Sequence, residues 1–376
     1  MASKLPQIGT NIFTKMSQLA SKTGAINLSQ GFPNFKVDPL LSKILVEKAT
    51  EEVHQYTPMS GSPELLSQIS TLVEDSYNRK IDYTEEILVT AGATQAIFTT
   101  ILALIEKGDE VIILDPSYDC YEPAVILAGG TPVRIQLDEN FLPDWNKINS
   151  SISEKTKMLI TNNPHNPSGR VWKSNDIDDL EKIMLDHEHL ILLSDEVYEF
   201  ITFEEKHISI HTREKLYNRT IITSSFGKTF HITGWKMGYL VTPKHLMEEI
   251  KKVHQFNVFS VNSVAQATLA EYMKQKDVSK LGAFYQKKRD FFRASMSNSR
   301  FELLPCEGTY FQTAKYDSIS RENDEAFCRR LAIEFGVATI PISVFNNSGF
   351  DQNVIRFCFA KTDETLLKAT EKLCKI

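Results

Sequence analysis

The sequence predicts an α/β protein built on a large, mostly parallel sheet, and three observations lead to this fold class. Short β-branched runs alternate with turns and helical patterns between residues 86 and 241, which is typical of strands joined through crossover helices. Polar side chains directly follow several of these runs, as they do at the carboxyl edge of a parallel sheet. After about residue 279 the charge density rises and helices alternate with fewer strands. We therefore expect a smaller α+β unit there.

Apolar patterns place the individual elements. The expected strands of the main sheet are seven runs, at 87–89, 111–114, 133–137, 158–161, 190–193, 221–223 and 238–241. Helical spacing of apolar residues predicts helices at 12–20, 96–105 and 175–185, and a helical stretch that reaches residue 54. A further strand at 354–359 belongs to the smaller unit.

Length and composition are those of a globular protein with two structural units. The chain has 376 residues, of which 42% are hydrophobic and 24% charged. We expect an N-terminal segment (1–40) that joins the small domain, a large domain (41–278) and a C-terminal small domain (279–376).

Charge and cysteine content narrow the function classes. The net charge is −6 and no basic block stands out, which argues against nucleic acid or an anionic membrane as a partner. The five cysteines form no C-x-x-C pair, so neither a disulfide framework nor a metal site is indicated. No apolar run is long enough to span a membrane and the N-terminus does not resemble a signal peptide, so we expect a cytoplasmic protein.

A single lysine, Lys228, follows the predicted strand at 221–223 through Ser225 and a glycine turn. A lysine held among apolar and aromatic neighbours loses hydration, which lowers its pKa and makes the amine nucleophilic. Schiff-base chemistry needs such an amine. Most lysines are exposed and inert, however, so this assignment depends on the other motifs.

Two local motifs offer other interpretations of the same lysine. A phosphate-binding P-loop would need a glycine at position 222, where the chain has Ile222, so that interpretation fails. Ser225 and Lys228 also spell the S-x-x-K of serine acyl-transfer enzymes. The K-T-G motif of those enzymes occurs only at 22–24, upstream instead of downstream, so this hydrolase remains a remote alternative.

Polar groups at other strand ends suggest a cofactor site. The stretch 92–94 (Gly-Ala-Thr) opens a helix directly after a strand, where backbone N–H groups and the helix dipole favour a phosphate. Asn166 lies in a loop whose orientation is restricted by two prolines and a glycine. Asp195 lies at the end of a strand that is expected to be buried, and a carboxylate there needs a positively charged partner. Arg356 lies in an apolar strand and needs an anion. No dinucleotide fingerprint follows the first strand, so another cofactor is expected.

Taken together, these motifs resemble the fold-type I, pyridoxal-phosphate-dependent aminotransferases of class I/II. The match is carried by N-P-S-G at 166–169, Asp195 with Tyr198, Ser225 with Lys228, and Arg356, in this order and spacing. It covers essentially the whole chain. Additional stretches at 31–33, 55–57, 115–119, 225–236 and 259–263 resemble the branch with kynurenine/glutamine transaminases and bacterial methionine aminotransferases.

The resemblance implies pyridoxal 5′-phosphate as cofactor and assigns its contacts. The catalytic residues would be Lys228, which carries the cofactor on its amine, Asp195, which pairs with the pyridine nitrogen, and Tyr198. The remaining implied contacts are Gly92, Ala93, Thr94, Ser225 and Lys236 with the phosphate, Tyr118 with the ring, and Asn166 and Tyr198 with the 3′-oxygen. Many class I enzymes have an arginine in place of Lys236, so a two-pronged contact becomes a point charge here.

Substrate contacts and oligomeric state are implied in the same way. Arg356, with the backbone of Gly31 and the side chain of Asn166, would receive the substrate carboxylate. Tyr56 would reach the cofactor phosphate of the neighbouring subunit, so a homodimer with shared active sites is implied.

The expected side-chain pocket favours neutral donors. Its candidate walls are aromatic: Phe13, Phe32, Tyr56, Tyr118 and Phe259. No arginine occurs between residues 220 and 288 to pair with a distal carboxylate, so we expect methionine and aromatic amino acids, then glutamine and kynurenine, to react better than aspartate with a 2-oxo acid as acceptor. A carbon–sulfur β-lyase remains an alternative, because the same carbanion can expel a leaving group.

Overall fold

The fold is described from a computed structural model of the chain, covering residues 3–6, 8–347 and 349–376. Its strands are β1 (Ile26–Asn27), β2 (Ile87–Thr90), β3 (Glu110–Asp115), β4 (Thr131–Gln136), β5 (Thr156–Asn162), β6 (Ile191–Asp195), β7 (Thr220–Ser225), β8 (Gly238–Val241), β9 (Glu302–Leu303), β10 (Phe311–Lys315), β11 (Val337–Ala338), β12 (Ile340–Pro341) and β13 (Val354–Cys358). Its α-helices are α1 (Ile12–Thr23), α2 (Pro39–Lys48), α3 (Pro63–Tyr77), α4 (Ala93–Leu104), α5 (Tyr121–Ala128), α6 (Trp145–Ser150), α7 (Ser174–Asp186), α8 (Phe226–Thr229), α9 (Lys244–Asn257), α10 (Ser263–Met273), α11 (Leu281–Ser295), α12 (Asp324–Glu334) and α13 (Asp363–Leu373).

The main sheet contains all seven predicted strands, in the order β2-β8-β7-β6-β5-β3-β4. Every neighbouring pair is parallel except those made by β8, which runs antiparallel to both β2 and β7. The predicted α/β class with a mostly parallel seven-stranded sheet is therefore confirmed. In the register of β5, β6 and β7, Asn162 lies opposite Asp195, and Asp195 lies opposite Thr223. The parallel ladder thus brings the carboxyl ends of three strands to one edge.

Helices bury both faces of this sheet. Alternate strand residues enter two different hydrophobic clusters: Leu159, Leu192 and Ile222 pack on one side. Their chain neighbours Ile160, Leu193 and Ile221 pack on the other, against α4 and α9. Strands buried on both faces read as continuous apolar runs, which is why they stood out in the sequence.

A second sheet, β12-β13-β10-β9, is antiparallel throughout. The N-terminal part of the chain joins this region, because β1 pairs in parallel with β11 and α1 packs against α12. The predicted strand at 354–359 is β13, and Arg356 lies at its centre.

The region between residues 39 and 77 differs from the sequence prediction. The helical stretch expected to reach residue 54 ends at Lys48. Leu41 and Ile44 pack α2 against the core, but the residues after Lys48 are mostly exposed. The Thr50 hydroxyl donates a hydrogen bond to the Glu47 carbonyl at 2.8 Å. The next helix, α3, went unpredicted, although Ser62 caps it, a proline opens it and four apolar residues spaced along it (Leu65, Leu66, Ile69 and Val73) are buried.

Within the part of the chain that the structure describes, no helix combines the length and the apolar character needed to cross a lipid bilayer.

Replacing Gly238 by Ala is expected to destabilise the fold by about 1–3 kcal/mol, as overpacking does. A Cβ at Gly238 would lie 2.8 Å from the Ser224 carbonyl oxygen and 2.9 Å from the Ala93 nitrogen, and both are backbone atoms that cannot move aside freely. Urea unfolding measures the effect. Gly234→Ala is the matched control, because a Cβ there would meet no atom within 4 Å. Equal unfolding midpoints for the two variants would contradict the packing argument.

Candidate active site

A cavity of about 150 Å³ opens at the carboxyl edge of the main sheet. Ten of the residues predicted for the site line it: Gly92, Ala93, Thr94, Tyr118, Asn166, Asp195, Tyr198, Ser225, Lys228 and Lys236. They come from five separate segments of the chain. The sheet topology therefore assembles most of the predicted site.

Lys228 lies on α8, one short turn after the end of β7. Its amine donates a hydrogen bond to the Tyr310 hydroxyl at 3.0 Å and lies 5.4 Å from the centroid of the Tyr198 ring. Burial lowers the pKa of Lys228 to about 8, and the positive charges of Arg356 and Lys236 act in the same direction. The unprotonated fraction of this amine near neutral pH is consequently far larger than that of an ordinary lysine.

Asp195 ends β6 and is 3% exposed. Its carboxylate accepts hydrogen bonds from the Tyr121 hydroxyl at 2.6 Å and from the Val197 backbone N–H at 3.3 Å, both neutral donors. Burial raises the pKa of Asp195 to about 6, although the bond from Tyr121 opposes this. A cation placed in the cavity beside this carboxylate would favour its ionised form.

Asn162 joins the Asp195 strand end to the loop that carries Asn166. Its side-chain N–H donates to the Asp195 carbonyl at 2.9 Å, and its side-chain oxygen accepts from the Asn166 backbone N–H at 2.8 Å. The repeated asparagine that the sequence shows at 162 and 166 is thus one bonded unit.

Arg356 is fully buried at the centre of β13. Its guanidinium donates to the Asn166 side-chain oxygen at 2.7 Å and to the Ser29 carbonyl at 3.1 Å, and it stacks 3.9 Å from the centroid of the Phe311 ring. Its Nε has no hydrogen-bond partner among the described residues. A buried cation whose acceptors are neutral and whose Nε is unpartnered suits a carboxylate ligand.

An anion cradle forms where α4 begins. Gly92 precedes this helix with φ 78° and has no side chain that could cap it. The first N–H groups of α4 are therefore available to donate hydrogen bonds to an anionic ligand. The Lys236 side chain lies beside Gly92, because a Cβ built on Gly92 would be 3.4 Å from the Lys236 amine nitrogen. Backbone donors, the helix dipole and an ammonium group converge here, as a phosphate requires.

The remaining predicted residues lie outside the lining of this cavity. Gly31 is linked to it through its carbonyl, which accepts from the Tyr310 hydroxyl at 2.7 Å, and Phe13 lies beside the Arg356 guanidinium. Phe32 is half-exposed next to Lys361. Tyr56 and Phe259 pack edge to face with centroids 5.5 Å apart, and 83% of Tyr56 is exposed.

Sequence reasoning missed several residues of the site. Tyr310 bonds the Lys228 amine, Tyr121 bonds Asp195, and Phe311 stacks on Arg356. The aromatic pair in the stretch 307–311 (Glu-Gly-Thr-Tyr-Phe) was visible but carried no motif for a site. Each of these contacts joins residues at least 45 positions apart, so only the tertiary fold reveals it.

A family model for aminotransferase class I and II matches residues 23–373. The chain belongs to this family. A methionine aminotransferase from Escherichia coli (strain K12) is 45% identical over 375 residues, covering 99% of this chain and 97% of that protein. A kynurenine–oxoglutarate transaminase 3 from Homo sapiens is 34% identical over 98% of this chain and 89% of its own length.

Solved structures give the same result. The crystal structure of a methionine aminotransferase from Escherichia coli superposes with a TM-score of 0.97 at 44% identity, covering 100% of this chain and 99% of the other. N-succinyldiaminopimelate aminotransferase from Mycobacterium tuberculosis superposes with a TM-score of 0.95 at 31% identity, covering 100% and 99%.

The family settles the reaction class that the motifs predicted. This chain is a pyridoxal 5′-phosphate-dependent aminotransferase, and its substrates are amino acids and 2-oxo acids. The cavity fits this cofactor, since it combines an anion cradle, a buried carboxylate that meets neutral donors and an amine with a lowered pKa. The predicted resemblance and fold type are confirmed, and the comparisons give no support to the S-x-x-K hydrolase.

In protein freed of its cofactor, the Lys228 amine is expected to titrate near pH 8. Because protonation removes the lone pair, its acylation should fall about tenfold per pH unit below that value, whereas ordinary lysines behave so below about 10.4. Brief treatment with acetic anhydride across a pH series, followed by peptide mapping, measures both groups in one sample. A midpoint near 10.4 at Lys228 would contradict the burial argument.

Proposed function

We propose that this enzyme transfers the amino group of methionine, aromatic and other neutral amino acids to a 2-oxo acid, with the cavity residues in the roles that their positions support. The observation that carries the proposal is the combination of one low-pKa amine, Lys228, in the cavity and one fully buried guanidinium, Arg356, that is hydrogen-bonded to the cavity residue Asn166. The amine can bind and move a proton at the reacting carbon. The guanidinium can hold the substrate carboxylate.

The cofactor contacts proposed from the sequence agree with the local chemistry. Pyridoxal phosphate, when bound, withdraws electrons from the α-carbon of the amino acid and so makes its proton acidic. Lys228 would hold the cofactor covalently, and Asp195 would keep its pyridine nitrogen protonated. The rest of the proposed contacts are Gly92, Ala93, Thr94, Ser225 and Lys236 for the phosphate, Tyr118 for the ring face, and Asn166 and Tyr198 for the 3′-oxygen.

The protein groups divide the work of the reaction between them. Lys228 takes the α-carbon proton at Nζ and holds it as an ammonium, for which a pKa of about 8 gives a suitable balance of base strength and occupancy. Arg356 and Asn166 fix the substrate carboxylate, so that the α-carbon lies in one orientation. Their hydrogen bond makes the carboxylate clamp rigid before substrate arrives.

Substrate preference follows from what the pocket walls offer. Aromatic side chains supply apolar surface at Phe13, beside Arg356, and at Phe32. A thioether or a ring gains about 1.5–3 kcal/mol from such burial, and sulfur adds roughly 0.3–1.5 kcal/mol against an aromatic ring. The similarity to a methionine aminotransferase supports the same choice.

We also propose that the enzyme is a cytoplasmic homodimer with shared active sites. Tyr56 and Phe256 are 83% and 88% exposed, and aromatic side chains so exposed are typical of an interface. Tyr56 would then reach the phosphate of the cofactor bound by the partner. The five free cysteines suit a reducing compartment. A monomeric mass in light scattering would contradict the dimer.

The division into 1–40, 41–278 and 279–376 is likewise a proposal. Pairing of β1 with β11 supports the placement of the N-terminal segment with the C-terminal domain.

Lys228→Ala should abolish transamination, because the variant lacks both the covalent attachment and the base. The cofactor should still bind through its other contacts. Borohydride reduction of the wild-type enzyme followed by peptide mapping should label Lys228, and the same treatment of Lys236→Ala should label Lys228 at lower cofactor occupancy. Labelling of another lysine would show that the assignment is wrong.

A panel of amino donors with one fixed 2-oxo acid tests the substrate proposal. Methionine and aromatic amino acids should exceed aspartate by about tenfold or more in kcat/KM, because an unpaired distal carboxylate entering the pocket costs several kcal/mol. Product analysis in the same reactions separates transamination from β-elimination, which would release ammonia and pyruvate. Aspartate matching methionine would overturn the pocket assignment.

A further inference from the structure

We propose that Tyr310 is a positioning residue for the Lys228 amine, holding it by a hydrogen bond that leaves the amine lone pair free for the α-carbon proton. This inference rests on the proposed role of Lys228. The Lys228 amine donates to the Tyr310 hydroxyl at 3.0 Å, and that hydroxyl donates its own proton to the Gly31 carbonyl at 2.7 Å. A continuous chain of hydrogen bonds therefore joins the amine to the loop proposed to receive the substrate carboxylate.

The direction of these bonds decides what Tyr310 can do. A tyrosine hydroxyl has one proton, and here the Gly31 carbonyl accepts it. The oxygen can consequently only accept from Lys228. A hydroxyl that donated to the amine would occupy the nitrogen lone pair and block proton abstraction. An accepting hydroxyl engages an N–H instead, and it stabilises the ammonium once the α-carbon proton has been taken.

The Gly31 carbonyl is held in place by packing. A Cβ on Gly31 would lie 2.9 Å from the Phe311 ring, so the loop backbone lies directly on that side chain. Phe311 in turn stacks on the Arg356 guanidinium, which also bonds the carbonyl of Ser29. The acceptor of the Tyr310 proton thus belongs to the same packed unit as the proposed carboxylate clamp.

The backbone that aims Tyr310 is held in an unfavourable conformation. Thr309 has φ 63°, which is rare for a β-branched residue. Its N–H donates to the Ile201 carbonyl at 2.8 Å, and its hydroxyl accepts from the Phe311 N–H at 3.1 Å, so surrounding bonds enforce the strain. Strain of this kind is retained where it positions a functional group.

Core packing alone does not account for the hydroxyl. Tyr310 is fully buried, and its ring contacts those of Tyr198 and Tyr285 at centroid distances of 5.3 and 5.5 Å. Tyr285 is equally buried in the same aromatic cluster, yet its hydroxyl has no hydrogen-bond partner among the described residues. The two tyrosines share the packing role, and they differ in the hydrogen bonds that the Tyr310 hydroxyl makes to Lys228 and to the Gly31 carbonyl.

Tyr310→Phe, compared with Tyr285→Phe, isolates the hydroxyl. In protein freed of its cofactor, loss of an acceptor for the ammonium should lower the acylation midpoint of Lys228 by about one pH unit in Tyr310→Phe. Tyr285→Phe should leave the midpoint at the wild-type value. Equal midpoints in wild type and Tyr310→Phe would overturn the proposal.

Steady-state kinetics of the holoenzyme supply a second readout. With methionine as donor, Tyr310→Phe should lower kcat about tenfold while KM changes by less than about threefold, because orientation of the base is lost more than substrate binding. Tyr285→Phe should match the wild type in both. A kcat for Tyr310→Phe that also matches the wild type would overturn the proposal.

A second variant covers the case in which Tyr310→Phe does not fold. If Tyr310→Phe fails to accumulate as folded protein, Thr309→Gly takes its place. This variant keeps the Tyr310 hydroxyl but removes the side chain that constrains the backbone before it. It should shift the acylation midpoint of Lys228 in the same direction by a smaller amount. No shift in that variant would then overturn the proposal. The titration needs no bound cofactor, so it reports the contact to Lys228 even if borohydride labelling disproves the proposed function.

Discussion

The parallel register of β5, β6 and β7 is the constraint on which the site depends. It places Asn162, Asp195 and the turn that leads to Lys228 at one edge of the sheet. Each of these side chains ends or follows a strand with both faces buried, so the hydrophobic core fixes their positions more firmly than a surface loop could. Burial also sets the chemistry, since it lowers the pKa of Lys228 and raises that of Asp195.

The antiparallel sheet contributes a further charged group, the buried guanidinium of Arg356. Arg356 of β13 donates a hydrogen bond to Asn166, which lies in a loop of the main sheet. The Phe311 ring of β10 stacks against the flat face of the guanidinium. A guanidinium buried in this way loses much of its hydration, so its neutral partners compensate only in part. The uncompensated part is what supports the proposed role of Arg356 as the ligand of the substrate carboxylate.

How far the sequence could predict this arrangement depended on the kind of signal. Lys228, Asp195 and Arg356 were identified because charged residues in or directly after apolar runs are rare, and because their order and spacing resemble a family. Tyr310 and Tyr121 carried no such signal: an aromatic residue in an apolar stretch usually belongs to the core, and only the fold shows that each hydroxyl meets a charged group.

Boundaries were less predictable than functional residues. The end of α2 at Lys48 depends on where the core stops covering the helix, which is a property of the whole fold. The sequence does contain local signals for α3, a serine at its N-cap and a proline at its start, but a prediction from apolar spacing alone does not use them. The roles assigned to the individual site residues, including that of Tyr56 across a dimer, stay predictions.

The two bonds made by the Asn162 side chain have a mechanical consequence. Through Asn162 and Asn166, an unbroken line of contacts runs from the Asp195 backbone to Arg356, and so from the central sheet to the antiparallel one. Separating the two sheets at this point would break these bonds and leave buried amide groups unpaired, which is costly. The position of the Arg356 guanidinium is therefore coupled to that of the Asp195 strand end.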